Sequence, residues 1–163
     1  WTLKANNIVI VKTSITNHHD QSIPMMDGWH PYFQFDSLVN DLTIQFKNKG
    51  KIIYDNQLLP TGEIVIDNQF DQGEVLGKQH LDNCWLIDET APSCTIQKEH
   101  HQLIVTPLAN YPYLQLYSPD DRKSIAIENL SAVPNCFNNK MGLHYVKPQE
   151  TWVLKTSYQY IIS

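Results

Sequence analysis

Three clusters of the sequence hold side chains that could do chemistry. The first is Asp27-Gly28-Trp29-His30-Pro31-Tyr32-Phe33. A proline after the histidine holds His30 in an extended backbone. The three aromatic residues around it could orient the imidazole rigidly for proton transfer, and their faces suit the C–H face of a sugar. Read without chemistry, the segment is a loop folding an aromatic plug into the core around an inert, hydrogen-bonded histidine. The second cluster is Ser124-Ile125-Ala126-Ile127-Glu128-Asn129. Alternation puts Ile125 and Ile127 on one face and Ala126 and Glu128 on the other. A carboxylate where an apolar strand enters a loop is partly desolvated, which raises its pKa and suits a general base near neutral pH. The plain alternative is a solvated strand-end glutamate. The third is Leu81-Asp82-Asn83-Cys84-Trp85, with Asp82 in a turn just before an apolar strand.

Other chemistries find no support. The doublets His18-His19 and His100-His101 lie in turns without a further ligand at metal-like spacing, so solvated histidines are expected and no metal. Asn129-Leu130-Ser131 matches a glycosylation acceptor pattern that also arises by chance. No GxSxG, Walker-type or GxGxxG signature is present, which leaves acyl transfer, phosphoryl transfer and dinucleotide binding without a basis.

The elements that must position these residues read as strands. Period-two alternation runs through Asn7–Ile15, Asp41–Phe46, Glu63–Asp67, Ser93–Lys98, Gln102–Thr106, Tyr113–Tyr117, Ser124–Glu128 and Trp152–Tyr160. Turn-forming clusters separate them: Asn48-Lys49-Gly50, Pro60-Thr61-Gly62, Asp71-Gln72-Gly73, Glu99-His100-His101, Pro119-Asp120-Asp121 and Pro148-Gln149-Glu150. No stretch keeps a helical apolar period for three turns. About ten short strands in one domain over residues 1–163 predict an all-β fold, an antiparallel sandwich or open barrel. Two long loops, Thr16–Ser37 and Asn129–Lys140, break the rhythm, and long loops on a rigid β scaffold are where binding chemistry tends to sit.

Composition narrows the function further. The 163 residues carry a net charge of −5 and 12 Lys plus Arg, of which Arg122 is the only arginine. The basic surface of a nucleic-acid binder is missing, as is the usual bidentate partner of a phosphorylated substrate. No apolar run approaches the roughly 20 residues of a membrane span. Cys84, Cys94 and Cys136 are odd in number and lack CxxC spacing, which argues against a disulfide framework or a structural zinc site. They predict a reducing compartment and a cytoplasmic location, with one bridge plus a free thiol as the alternative. The chain opens at Trp1 without Met or signal peptide, as expected either after removal of a leading segment or of a piece of a longer protein.

Taken together, the motifs resemble the aldose 1-epimerase (galactose mutarotase) family. Thr16-Asn17, Ile23-Pro24-Met25 and Gly28 to Phe33 resemble its Asn-to-HPYF stretch. Leu81 to Trp85 resembles its Leu-Asp substrate motif, and Tyr117-Ser118-Pro119 followed by Ile125 to Glu128 its catalytic-glutamate region. Pro134 to Asn138 and Leu143 to Tyr160 are similar in order and spacing. The resemblance implies a large antiparallel β-sandwich, here its C-terminal portion, that interconverts the anomers of a monosaccharide such as glucose or galactose without a metal or other cofactor. It also implies Glu128 as general base, His30 as general acid, and Asp82, Asn17 and Tyr32 at the substrate. A carboxylate near His30, such as Asp82, is expected to help keep it cationic. An Asn-Arg region and a further His that hold substrate in the family have no counterpart here, and Arg122, in a turn, does not replace them. Two other readings remain open: a carbohydrate-binding sandwich without turnover, and a relative acting on hexose 6-phosphates, which the single arginine disfavours. Long uncovered edges of a half-sandwich predict self-association into a dimer or larger oligomer.

Overall fold

The computed structural model describes residues 1–162. In chain order the strands are β1 (Thr2–Lys4), β2 (Ile8–Thr16), β3 (Ile23–Met25), β4 (Tyr32–Gln34), β5 (Thr43–Gln45), β6 (Asn48–Tyr54), β7 (Pro60–Val65) and β8 (Glu74–Val75), followed by β9 (Asp82–Ile87), β10 (Cys94–Lys98), β11 (His101–Ala109), β12 (Tyr113–Tyr117), β13 (Ser124–Leu130), β14 (His144–Val146) and β15 (Thr151–Ile162). A 3-10 turn over Val39–Asp41 and a short α1 (Cys136–Asn139) complete the elements.

Seven strands form one sheet in the order β1-β2-β15-β11-β10-β5-β8, and six form a second in the order β4-β13-β12-β9-β6-β7. The pair β14-β3 makes a small ribbon. Neighbouring strands run antiparallel throughout both sheets. The core cluster joins Leu114, Leu116, Ile125, Ile127, Trp85 and Ile87 of the six-stranded sheet to Ile44, Ile96, Leu103 and Val105 of the seven-stranded sheet. Burying these apolar faces at roughly 25 cal/mol per Å² is the main drive for the sandwich.

The opposite face of the six-stranded sheet is also covered in part. Ile52, Cys84, Tyr113 and Leu130 pack there under Val133 and Met141 from the segment after β13. Double coverage explains why β12 and β13 are buried almost residue by residue, where a half-solvated strand would alternate.

All eight alternating runs form strands, with shifted ends. Two turn expectations fail. Asn48-Lys49-Gly50 lies inside β6, where the register against β9 shifts between Asn48 and Gly50. Pro60-Thr61-Gly62 opens β7, whose pairing with β6 is also irregular. Glycine here marks a bulge in a continuing strand, which the same residue types signal equally well. The loop Thr16–Ser37 contains β3 and β4, and the loop Asn129–Lys140 begins inside β13. An open edge is present along β2, since β1 pairs only with Ile8, Val9 and Ile10 of that strand's nine residues. The edge strands of the sandwich are β1 and β4, of three residues each, the two-residue β8 and the six-residue β7. The three cysteines are free and buried. Among the described residues no helix is long and apolar enough to cross a membrane.

Candidate active site

Four strands of the six-stranded sheet bring the three clusters onto its outer face. Pairing of β12 with β9 sets Tyr117 against Asp82 and Gln115 against Cys84. Pairing of β12 with β13 sets Gln115 against Glu128. Side chains two residues apart on a strand share a face, so Asp82, Gln115, Tyr117 and Glu128 converge there. They line a cleft of about 290 Å³ together with His30, Leu130 and Pro134.

His30 reaches the cleft by register. Strand β4 pairs with β13 through Gln34–Ser124, Phe33–Ile125 and Tyr32–Ala126. Upstream, Gly28 and Leu130 form an isolated bridge in the same register. Between them, Ile127 N donates to Pro31 O at 3.4 Å. Pro31 has no N–H to return that bond, so the ladder is interrupted while the alignment continues. The continued register sets His30 opposite Glu128 at a pair without backbone bonds, where cross-strand side chains approach most closely. His30 Nε2 lies 3.1 Å from Glu128 Oε1.

The two members of this pair differ in exposure. Glu128 is 7% exposed, whereas the His30 side chain is about half open to solvent. Burial pushes the Glu128 carboxyl up to about 7, and the charge of Asp82 adds to the rise. Both act by disfavouring a second buried negative charge. The expected strand-end position is thus corrected: Glu128 lies within β13 and is desolvated on a doubly covered sheet. The carboxylate that reaches His30 is Glu128 itself. Asp82 Oδ1 instead accepts from Gln115 Nε2 at 2.8 Å, and Gln115 Oε1 accepts from the Tyr54 hydroxyl at 3.1 Å.

Tyr32 is half exposed, its ring 4.9 Å from that of His30 and 6.5 Å, edge-on, from that of Tyr117. It stands beside the cleft. Asn17 is placed elsewhere. Its amide donates to Gln21 O at 2.8 Å and Val146 O at 2.9 Å, and its oxygen accepts from His19 N. At 1% exposure it ties the end of β2 to the β3–β14 ribbon. Arg122 holds Asn40, Gln79, Ser118 and Gly77 together with four hydrogen bonds. Asn129 is buried against Thr156 Oγ1 at 2.6 Å, which leaves the acceptor pattern inaccessible in the folded chain. Among the described residues no cluster of His, Cys, Asp or Glu could hold a metal ion.

Gln115 and Tyr54 belong to no motif of the sequence, and Tyr117 enters only through the resemblance of Tyr117-Ser118-Pro119. A signal for Gln115 was present: one amide at the centre of the otherwise apolar Tyr113-Leu114-Gln115-Leu116-Tyr117. A buried polar group must find partners, and the ones it finds are Asp82 of the cleft and Tyr54 beside it.

Comparison with known proteins bears on the family and the fold. The model of the aldose 1-epimerase family matches residues 1–159. Among solved structures, the aldose epimerase homologue from C. elegans superposes with a TM-score of 0.83 at 20% identity, covering 99% of this chain and 58% of that one. A galactose mutarotase-like protein from Clostridium acetobutylicum gives 0.82 at 18% identity, covering 94% and 52%. The galactose 1-epimerase from Lactobacillus acidophilus gives 0.80 at 15% identity, covering 99% and 55%. At these identities the structures establish a shared fold, and the chain spans little more than half the length of each. No curated protein matches the chain in sequence. The family match over residues 1–159 places this chain in the aldose 1-epimerase family.

Proposed function

We propose that the chain interconverts the α and β anomers of a neutral hexose, with Glu128 as general base and His30 as general acid. The observation that carries this reading is the contact of His30 Nε2 with Glu128 Oε1 at 3.1 Å on the wall of the cleft. Anomerisation needs two proton transfers on oxygens bonded to one carbon, so the groups that serve them must stand side by side.

Glu128 takes the proton of the anomeric hydroxyl while the His30 imidazolium protonates the ring oxygen. The C1–O5 bond breaks as the C1–O1 bond becomes a carbonyl, giving the open aldehyde. Rotation about C1–C2 turns the other carbonyl face toward O5. Reclosure returns one proton from Glu128 to O1 and the other from O5 to His30, so the protein ends in its starting protonation state. A base poised near neutral pH is effective in both directions. Burial of Glu128 supports this poise.

Asp82 and Gln115 offer an acceptor and an amide to sugar hydroxyls, and the rings of Tyr32 and Tyr117 offer apolar faces. No Lys or Arg lines the cleft among the described residues, which supports a neutral aldose over a hexose phosphate. Polarimetry of freshly dissolved α-D-glucose and α-D-galactose tests the reading. The chain should accelerate mutarotation, and Glu128→Gln should lose about 10²–10⁴-fold in rate, the usual worth of a general base, while still binding sugar. Sugar binding with no acceleration by the wild-type chain would favour the carbohydrate-binding module instead.

A further inference from the structure

Three residues before His30, Asp27 makes contacts that the acid–base chemistry does not use. Its backbone N donates to Ser131 Oγ at 2.8 Å, and its carbonyl accepts from Ser131 N at 2.9 Å. Its carboxylate accepts a short hydrogen bond from the Tyr111 hydroxyl. Tyr111 is 3% exposed and belongs to a separate apolar cluster with Val146, Trp152 and Leu154, against which Trp29 packs. Burial, and then Asp27, push the Tyr111 phenol well above its ordinary pKa, so it remains a donor. Asp27 is therefore held from two sides, by the end of β13 and by the strand-end tyrosine before β12.

That grip coincides with the one feature the cleft depends on. Asp27–Ser131, Gly28–Leu130, Pro31–Ile127 and Tyr32–Ala126 all share one register, and only this register sets His30 opposite Glu128. A slip of one residue would turn His30 to the other face. Pro31 weakens the ladder in the middle, and β4 itself contributes three paired residues. The far end of the segment must carry the alignment.

We propose that Asp27 is a positioning residue, fixing through Tyr111 and Ser131 the register that holds His30 against Glu128. This rests on reading that pair as the acid and base, so the test carries a readout independent of turnover. In labelled wild-type protein, the His30 imidazole NMR signals should shift in a step that mirrors the protonation of Glu128, because the two side chains are in contact. Glu128→Gln should remove the mirrored step. Asp27→Ala should also remove it, although Glu128 is intact, and Asp27→Asn, which keeps an acceptor for Tyr111, should restore it. In mutarotation, Asp27→Ala should lower kcat about 10- to 100-fold with KM within about twofold, as misplacement of a catalytic group does.

A folded Asp27→Ala that keeps the mirrored step overturns the proposal, as does a wild type that shows none. Should Asp27→Ala fail to fold, Tyr111→Phe decides. It removes the phenol bond and leaves the Ser131 bonds, and an unchanged mirrored step there overturns the proposal. A wild-type chain that shows the mirrored step yet catalyses nothing overturns the proposed function alone, and the NMR series still decides the role of Asp27.

Discussion

At Glu128 the chemistry follows from where one carboxylate is buried. A glutamate with an ordinary value near 4.5, pushed to about 7 first by desolvation and then by Asp82, is half ionised at neutral pH. The base form is the ionised one. The low-pH limb of kcat/KM should therefore centre near 7, with rate falling tenfold per pH unit below it. A limb centred near the ordinary glutamate value would show that Glu128 is not the base. The two causes can be separated. Asp82→Asn removes a neighbouring negative charge and should move the limb to lower pH, but only partway, since burial is the larger cause. A limb in Asp82→Asn that stays in place would assign the whole shift to desolvation. Asp82 also accepts from Gln115, and asparagine keeps that acceptor oxygen, so the variant removes the charge while leaving the amide a partner.

At the scale of elements, what the sequence disclosed follows its periodicities. Tyr113–Tyr117 and Ser124–Glu128 read as strands because apolar side chains alternate there, and they place Glu128 on the face away from Ile125 and Ile127. Asp82 and His30 were legible as types. Their meeting was not, because it depends on strand order: β9 and β12, and β4 and β13, are neighbours in space but not in sequence. Family resemblance supplied that link where spacing could not. Asn17 shows the converse. Its motif resembles a substrate stretch, yet nothing local reveals that its amide is consumed by Gln21 and Val146. Bulge glycines read as turns because both need the same freedom. Gly142 is a glycine whose need is steric as well as conformational. At φ +76, a Cβ would lie 2.7 Å from Tyr113 Cε2 and 3.0 Å from Ala132 Cα, where the segment after β13 closes over the sheet. Gly142→Ala should destabilise the fold by about 1–3 kcal/mol from overpacking, beyond the strain of a positive φ. Gly77, at φ +58 with nothing within 4 Å, carries only the backbone strain. Urea midpoints should therefore fall further in Gly142→Ala than in Gly77→Ala, and equal midpoints would mean that Tyr113 yields without cost.

Across the whole molecule, the cleft is in tension with stability. The sandwich closes its core with apolar residues from both sheets, then spends part of the covered outer face on polar groups: Glu128, Gln115 and Asp82. A carboxylate whose folded pKa is raised binds a proton in the folded chain at pH values where the unfolded chain has released it. Folding stability from this group is thus present below the ordinary value near 4.5 and is lost as pH rises to about 7. One pKa unit corresponds to 1.36 kcal/mol, so a rise from 4.5 to about 7 makes the loss about 3 kcal/mol above neutrality. Glu128→Gln keeps the shape and cannot ionise. It should be no more stable than the wild type at pH 4, where both carry a neutral group, and should gain on it steadily through pH 7. Denaturant melts of the two proteins at pH 4, 6 and 8 measure the difference directly. A stability gap independent of pH would mean that water reaches Glu128 in solution, and the poise required of the base would then have to come from His30 alone.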